Sequence, residues 1–471
     1  MRASSSTSIC LLLAALSLTG CAPLMHTPYQ PPQVTLPSAW THQGEAAGPV
    51  QDRWWEGFGD PVLNRLVVEA LQRNNDLAAA TILVRKAQLQ AELAGSERLP
   101  SFSVQGSGEL SRYLGSGNRE IRNVAASAAV SYELDLWGKL GSAHDAARWE
   151  AMATEEDRAN TALVLIGTTS SLYWQIGYLN QRIDQSEASI AYARKTLELV
   201  RVQKAAGAAS SLEILEAERN LASQEASHTT LIQQRVEARN SLAILFDGPP
   251  QSLQTTEPQD LSKAAVPEVD AGLPAHLLGR RPDLRAAEAR LRAALANTDV
   301  TRASFYPAIN LSGQLGGSSD DLARFLSNPL ATLGADLILP FVQWRDMRRN
   351  IKISEAEYEQ AVINFRQTLY RALADVENSL SARQQYQDQE KKLALTLRAA
   401  RQTEELYRIR YQAGGSPLKF WLDAQENRRQ AEINLAENRL NQLDNHITLA
   451  KALGGDSKNA VTGLEEPMAP K

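Results

Sequence analysis

Cysteine is almost absent from this chain of 471 residues, and its few histidines form no motif. Because Cys10 and Cys21 are the only cysteines, a disulfide scaffold and a cysteine-rich zinc site are excluded. The six histidines are scattered, and no His-Glu-x-x-His, Gly-x-Ser-x-Gly or phosphate-binding loop occurs. The sequence therefore predicts no enzyme, no metal site and no cofactor, and any energy for transport must come from a partner.

An excess of either charge is also lacking. Lys and Arg number 49 and Asp and Glu number 54, so the composition gives no indication of nucleic-acid binding. Aromatic residues make up only 6% of the chain. The 43% hydrophobic and 22% charged residues are typical of a globular protein and exclude a polytopic helical membrane protein.

The first 20 residues are predicted to be a lipoprotein signal peptide. Arg2 precedes an apolar run over residues 9–18, which is too short to cross a bilayer. Leu18-Thr19-Gly20-Cys21 then resembles a lipobox, in which Cys21 is acylated and becomes the first mature residue. The alternative is an ordinary signal peptide with a chance cysteine. Residue 22 is Ala rather than the Asp that retains lipoproteins in the inner membrane, which favours the outer membrane.

The body of the chain is an internal repeat with an offset of 207 residues. Rare residue types coincide at this offset, among them Pro100 with Pro307, Trp137 with Trp344, Gly207 with Gly414 and Asn220 with Asn427. We therefore expect two copies of one structural unit, at 61–248 and 281–455, joined by a linker over 249–280. A lipidated, proline-rich segment over 21–60 precedes them, and a flexible tail over 456–471 follows.

Each copy is predicted to contain a helix, two strands and a long helical hairpin. The first helix, of roughly 25–35 residues, starts near Pro61 or Pro282, and a further proline ends it. Residues 123–136 alternate apolar and polar side chains, as a strand with one apolar face does. The polar faces of the strands are expected to face water and carry Glu133, Asp135 and Asp336.

After the strands, proline is missing over long stretches, which predicts very long helices. Residues 141–206 alone would form a rod of about 100 Å at 1.5 Å per residue. Apolar residues recur every seven positions, which predicts left-handed supercoiling; one such row is Ile176, Ile183, Ile190 and Leu197. Each rod is expected to turn back at a glycine, Gly207 or Gly414.

Four amphipathic strands are too few to close a transmembrane barrel, which needs at least about eight strands. Open strand edges are not tolerated in lipid, so strands from several copies must assemble. Together with the export signal and the long hairpins, this pattern indicates an outer-membrane pore continued by a helical tunnel.

Motifs along the chain resemble the TolC-like outer membrane factor family, the NodT-type efflux lipoproteins of resistance–nodulation–division (RND) pumps. The motifs are Trp54-Trp55-Glu56-Gly57-Phe58-Gly59-Asp60-Pro61, Asn75-Asp76-Leu77, Asp135-Leu136-Trp137-Gly138, Arg281-Pro282-Asp283-Leu284, Tyr411-Gln412-Ala413-Gly414 and Leu422-Asp423-Ala424-Gln425. The resemblance implies a mainly α fold with a β-barrel portion. In it, a homotrimer contributes four strands per protomer to a 12-stranded outer-membrane barrel, continued by a long α-helical barrel in the periplasm.

The same resemblance implies a passive exit duct for drugs or other small molecules, with a periplasmic adaptor and an inner-membrane RND-type transporter as partners. Asp423, with Glu216 as its counterpart in the first half, would line a periplasmic gate, and Tyr411 would help to hold that gate closed. Gly207 and Gly414 would be the tips that dock on the adaptor. A solvated aspartate and a packing aromatic remain the alternatives for Asp423 and Tyr411.

Two departures from the family pattern affect these expectations. Where the family has Pro-aromatic followed by Asp-Gly-Gly-Arg at the second strand-to-helix corner, this chain has Pro340-Phe341-Val342-Gln343-Trp344-Arg345. A basic residue commonly follows Leu-Asp-Ala-Gln, but here the residue is Glu426. The turn at the corner and any closed-state pairing at the tip are therefore expected to differ.

Two other functions compete with the exit duct. A periplasmic adaptor is also often a lipoprotein, but it has one helical hairpin and lipoyl-like β modules, whereas this sequence predicts two hairpins and two strand pairs. A lipid-anchored periplasmic hydrolase is disfavoured because no nucleophile motif occurs.

Overall fold

The structure is a computed structural model that describes residues 26–42, 53–112, 114, 120–250, 252–253, 255–262, 264–269, 271–320 and 329–455. The predicted signal peptide, Cys21 and the tail over 456–471 lie outside the described residues. The chain divides into two compact units, and each contains segments of both sequence halves. Of the described residues, the first unit comprises those within Met1–Val34, Ile82–Glu156 and Ala286–Thr368. The second comprises those within Thr35–Thr81, Asp157–Arg285 and Leu369–Lys471.

Helices and strands follow one another as the sequence predicts. In chain order they are α1 (Pro61–Arg73), α2 (Asn75–Ser96), β1 (Ser101–Arg112), β2 (Glu120–Leu134), α3 (Lys139–Ala205), α4 (Ser211–Ile244), α5 (Leu277–Arg280), α6 (Pro282–Ala303), β3 (Ala308–Ser319), β4 (Leu330–Ile338), α7 (Trp344–Gln412) and α8 (Leu418–Ala452). Among the described residues, none of these helices has both the length and the apolar character needed to span a bilayer.

The repeat is visible in the bounds of these elements. α2 and α6 begin and end 207 residues apart, and so do β1 and β3. The first helix of the second half begins at Pro282 as predicted, directly after Arg281, but the single first helix predicted for the first half is wrong, because the chain breaks at Asn74. Both residues are extended, with ψ of 128° and 122°. The Asn74 side chain then accepts a hydrogen bond from the backbone of Leu77 and starts α2, and Arg281 is held extended by the proline that follows it.

The residues before α1 contribute to the core of the second unit. Trp54–Phe58 is a 3₁₀ turn that buries Trp55 and Phe58. Asp60 caps α1 by accepting hydrogen bonds from the backbone of the next turn, and the Tyr173 hydroxyl donates to its second carboxylate oxygen at 2.8 Å. The Trp-Trp-Glu-Gly-Phe-Gly-Asp-Pro motif is therefore a packed turn followed by a helix cap.

The two longest helices confirm the predicted rods. α3 has 67 residues and α7 has 69. The heptad row on α3 is buried, which confirms the prediction that this side of the rod packs against neighbours; its members are Ile176, Ile183, Ile190 and Leu197. In the second half Leu369 and Val376 are fully buried at the equivalent spacing.

Residues 26–42 contain no helix or strand, as the proline-rich composition predicts, but they are held against the helices. In the first unit, Thr27 hydrogen-bonds to Asp299 of α6. In the second unit, the Trp40 indole donates to the carbonyl of Gly272, and the backbone of Thr41 donates to Glu377 of α7. This segment is therefore a strap bound along its length.

Candidate functional site

The four strands form one antiparallel sheet in the order β1-β2-β3-β4. Their register places the apolar positions in common rows; one row across all four strands is Phe102, Val130, Gly313 and Leu333. The side chains of Phe102, Val104 and Leu333 are 83%, 86% and 92% exposed, although all three are apolar. One face of the sheet is therefore a continuous apolar surface that the protomer leaves uncovered.

The opposite face of the sheet is polar. Rows across it are Ser101, Ser131, Ser312 and Gly334, and then Glu133, Asn310 and Asp336. The prediction that Glu133 and Asp336 lie on the polar face of the strands is confirmed, because both belong to one polar row. The prediction that Asp135 lies on this polar face is wrong, because β2 ends at Leu134. The Asp135 carboxylate instead accepts hydrogen bonds from the backbone of Leu140 and Gly141 at the start of α3.

The two strand-to-helix corners are built differently. In the first half, Gly138 has φ of 73° and allows the sharp turn into α3, while the Trp137 indole donates to the carbonyl of Pro307 at 2.8 Å. In the second half, Pro340–Gln343 forms a 3₁₀ turn that runs directly into α7. The departure in the sequence changes the turn and leaves the order of elements intact.

At the other end of the rods, the two hairpin turns are equivalent. Gly207 and Gly414 have φ of 74° and 75°, and a Cβ added at either would meet no atom within 4 Å. One residue later, the backbone N–H of Ala208 and of Gly415 bonds back five residues, which closes a Schellman-type cap on each rod. The prediction of glycine turns is confirmed, and both turns have open space around them.

Tyr411 packs into an apolar cluster beside these turns. Its ring lies 5.4 Å from that of Trp421, and its hydroxyl donates to the side-chain oxygen of Gln203 on α3. Burial, followed by the charge of Glu213, raises the pKa of the Tyr411 hydroxyl above its ordinary value. The cluster further contains Leu197, Val200, Ala217, Leu418 and Leu422. Tyr411 therefore both packs and ties the first hairpin to the second.

The charged residues predicted at the gate lie on the outside of this cluster. Asp423 is exposed and pairs with Lys419 one helical turn earlier, at 2.7 Å. Glu216 is half-buried on α4. Glu426 pairs with Arg429 on the same helix. Within one protomer the structure does not bring Asp423 into contact with Tyr411, whose hydroxyl is bound to Gln203.

A group of ion pairs joins α7 to α8, and the sequence pattern does not predict it. Arg428 pairs with the buried Glu404 of α7 and, at 2.8 Å, with Glu432 on its own helix. Arg401 of α7 also reaches Glu432 at 3.0 Å. Burial acts to lower the pKa of Arg428. The charges of Glu432 and Glu404 outweigh the effect of burial, so the pKa of the guanidinium is raised. The only sequence signal is the Arg428–Glu432 spacing of four.

The described part of the chain holds no group of three or more His, Cys, Asp or Glu side chains placed to bind a metal ion. The features of the described residues that bear on function are a two-faced sheet in the first unit and two open glycine turns in the second. Such an arrangement is typical of a channel wall.

Comparison with known proteins agrees with this interpretation. The sequence model of the outer membrane efflux protein family matches residues 66–246 and 273–455. The pyoverdine export outer membrane protein OpmQ of Pseudomonas putida is 33% identical over 468 residues, which are 95% of this chain and 97% of OpmQ. The toxin and drug export protein A of Aggregatibacter actinomycetemcomitans is 31% identical over 86% of this chain and 89% of its own. The MtrE outer membrane channel of Neisseria gonorrhoeae, solved in its open state, superposes with a TM-score of 0.84, covering 93% of this chain and 99% of MtrE at 27% identity.

The fold and the two-faced sheet define an outer-membrane channel with a helical extension into the periplasm. The chain belongs to the outer membrane efflux protein family, a family of transport channels rather than of enzymes. Its role is that of the outer-membrane channel of an efflux system, and the alternative of a periplasmic adaptor is wrong.

Proposed function

We propose that three copies of the chain close a 12-stranded barrel in the outer membrane, continued by a helical tunnel in the periplasm. The observation that carries this proposal is the sheet, which has a continuous exposed apolar face while β1 and β4 each pair with only one described strand. In lipid both edges must be paired. Joining β4 of one copy to β1 of the next satisfies them, places the apolar face against lipid and places the polar face on a water-filled lumen.

The long helices supply a second argument for assembly. Apolar side chains that are half exposed or more recur along α7, namely Ile353, Ile363, Leu395 and Leu406. A rod of this length cannot bury such residues within its own hairpin. Packing of α7 against neighbouring copies removes them from water, at roughly 25 cal/mol per Å² of apolar surface.

The hairpin turns are the proposed docking surface for a periplasmic adaptor. The backbone at Gly207 and Gly414 is uncovered, so a partner's helical hairpin can approach it closely. Energy for transport then comes from an inner-membrane transporter of the RND type, and the chain itself is a passive duct for small molecules.

The gate is proposed to lie beside the same turns. Three copies of Asp423 around one axis form an acidic ring, to which the half-buried Glu216 adds charge. Tyr411 holds the ring closed by binding Gln203, so opening of the gate requires this hydrogen bond to break.

At the other end of the chain, Cys21 is proposed to be acylated, which anchors the mature N-terminus in the outer membrane. We expect the anchor to assist a protein that the barrel already holds in the membrane.

The assembly is tested with the purified protein. A heat-modifiable trimer in gel electrophoresis, together with discrete conductance steps in planar bilayers, is the expected result. A monomer that gives no conductance after reconstitution would contradict the barrel.

A further inference from the structure

A cavity of about 720 Å³ lies in the first unit, where α6 passes into β3 and where α7 begins. Its wall is mainly apolar and includes Phe305, Tyr306, Phe341, Met347 and Ile351. A volume of this size falls in the range of sites that hold a drug-sized ligand. By the barrel proposal, the cavity lies at the periplasmic edge of the membrane span, where aromatic side chains are typical.

The N-terminal end of the strap lies at this cavity, because His26, Thr27 and Pro28 are among the residues that line it. Thr27 is held there by Asp299, whose side chain is only 2% exposed. The backbone N–H of Thr27 donates to one carboxylate oxygen of Asp299 at 2.8 Å, and its hydroxyl donates to the other at 2.6 Å. Burial of a carboxylate is costly unless it is hydrogen-bonded, so this clamp fixes where the strap enters the protein.

The polar groups at the rim are already paired with one another. Arg302 donates to the Thr27 hydroxyl at 3.2 Å and to Glu355 at 2.8 Å. His26 lies 3.7 Å from Asp299. The cavity therefore presents apolar wall rather than free charge, and a hydrocarbon fits it better than an ionic ligand.

The length of chain before the clamp indicates where such a hydrocarbon comes from. Cys21 stands six residues before Thr27, and six extended residues reach at most about 20 Å. The attachment point of a lipid on Cys21 therefore lies no further than about 20 Å from Thr27, a distance that a C16 acyl chain can span.

We propose that the cavity seats an acyl chain of the lipid on Cys21, and that the Thr27–Asp299 clamp directs the anchor into it. The inference rests on the acylation of Cys21 in the proposed function. It assigns a purpose to the buried carboxylate of Asp299 and makes the anchor part of the channel wall.

The test uses the full-length protein from cells fed a palmitate analogue that carries a diazirine and an alkyne. After irradiation of the purified trimer, mass spectrometry maps the crosslinked residues. We expect crosslinks on Phe305, Phe341, Met347 or Ile351. Crosslinks confined to the strands or to membrane lipid would overturn the proposal.

Three variants make the result specific. Cys21→Ser, exported with another signal peptide, should still form trimers but lose the cavity crosslinks; if they persist, the cavity holds a free lipid and the inference is wrong. Asp299→Leu keeps Cys21 but removes the clamp, so cavity crosslinks should fall at least fivefold. Glu355→Gln, which touches Arg302 but not the strap, is the matched control and should keep them.

The mass of the N-terminal peptide shows whether Cys21 is acylated, so the acyl seat can fail without the proposed channel function failing. An unmodified Cys21 would overturn both the acylation and the acyl seat, whereas trimer formation and conductance test the channel independently. A lipidated Cys21 with no crosslink in the cavity would overturn the seat alone.

Discussion

The Tyr411 hydroxyl on α7 donates a hydrogen bond to the side-chain oxygen of Gln203 on α3, 2.5 Å away, and so ties the two hairpins of one protomer together beside their turns. The two residues lie 208 positions apart in the sequence. This hydrogen bond is the contact by which we expect Tyr411 to hold the gate closed.

Loss of that hydroxyl should loosen the gate. Tyr411→Phe keeps the ring against Trp421 but leaves Gln203 without its donor, so the open probability in single-channel recordings should rise while ion selectivity stays the same. Tyr407→Phe is the matched control, because Tyr407 stacks on Phe420 at the edge of the same cluster. An open probability that Tyr411→Phe leaves unchanged would show that the hydrogen bond has no part in gating.

Removal of Asp423 should change which ions enter. A ring of three carboxylates favours cations, as acidic rings do in other channels. Asp423→Ala should therefore lower both the cation preference and the block by multivalent cations. Asp388→Ala is the control, because Asp388 is also an exposed carboxylate that pairs with a lysine on its own helix, Lys391. Equal ion preference in both variants would place the constriction elsewhere.

A charged side chain at the hairpin turns should abolish efflux without abolishing the channel. Gly207→Glu and Gly414→Glu force a side chain into φ of about 75°, at a cost of about 1 kcal/mol, and add bulk where a partner docks. We expect near-normal trimer abundance with loss of export in cells. Gly207→Asn tolerates the same φ with a smaller side chain and should retain most activity. Full export by both Glu variants would exclude these turns from docking.

Acid should destabilise the helical core through His446. Burial, assisted by the charge of Arg383, lowers the pKa of this histidine from 6.5 to about 4. Between these values the unfolded chain binds a proton that the folded chain does not, so stability is complete above pH 6.5 and falls as the pH drops towards 4. The full effect is about 3 kcal/mol. Thermal unfolding followed by circular dichroism should show a steeper acid loss for the native protein than for His446→Phe; parallel curves would contradict the assignment.

Two neighbouring arginines should differ in their effect on stability. Arg428→Leu leaves Glu404 buried without its partner and should destabilise the fold by about 3 kcal/mol. Arg429→Leu removes a pair within one helix, whose carboxylate Glu426 is exposed, and should change stability by less than about 1 kcal/mol. Urea unfolding of the two variants compares them directly. Equal midpoints would show that the Glu404 pair is not structural.

Much of the architecture follows from periodicity along the chain. Alternation with period two predicts the strands and their two faces, and the seven-residue rows predict which side of the rods is buried. These patterns are local, because each element must present one face to water and another to apolar surroundings wherever it lies. The repeat and the glycine turns are therefore accessible from residue types and spacing alone, whereas the family was indicated by motifs that resemble it.

The contacts between distant parts of the chain depended on tertiary structure. Thr27 and Asp299 are 272 residues apart, and Glu404 and Arg428 lie on opposite sides of a turn. Which residues meet across two packed helices depends on their relative rotation and axial shift, and a heptad pattern constrains these only at the apolar seam. The strap, the buried ion pair and the link from Tyr411 to Gln203 were therefore decided by packing, while the sequence by itself determined the order of elements and the faces they bury.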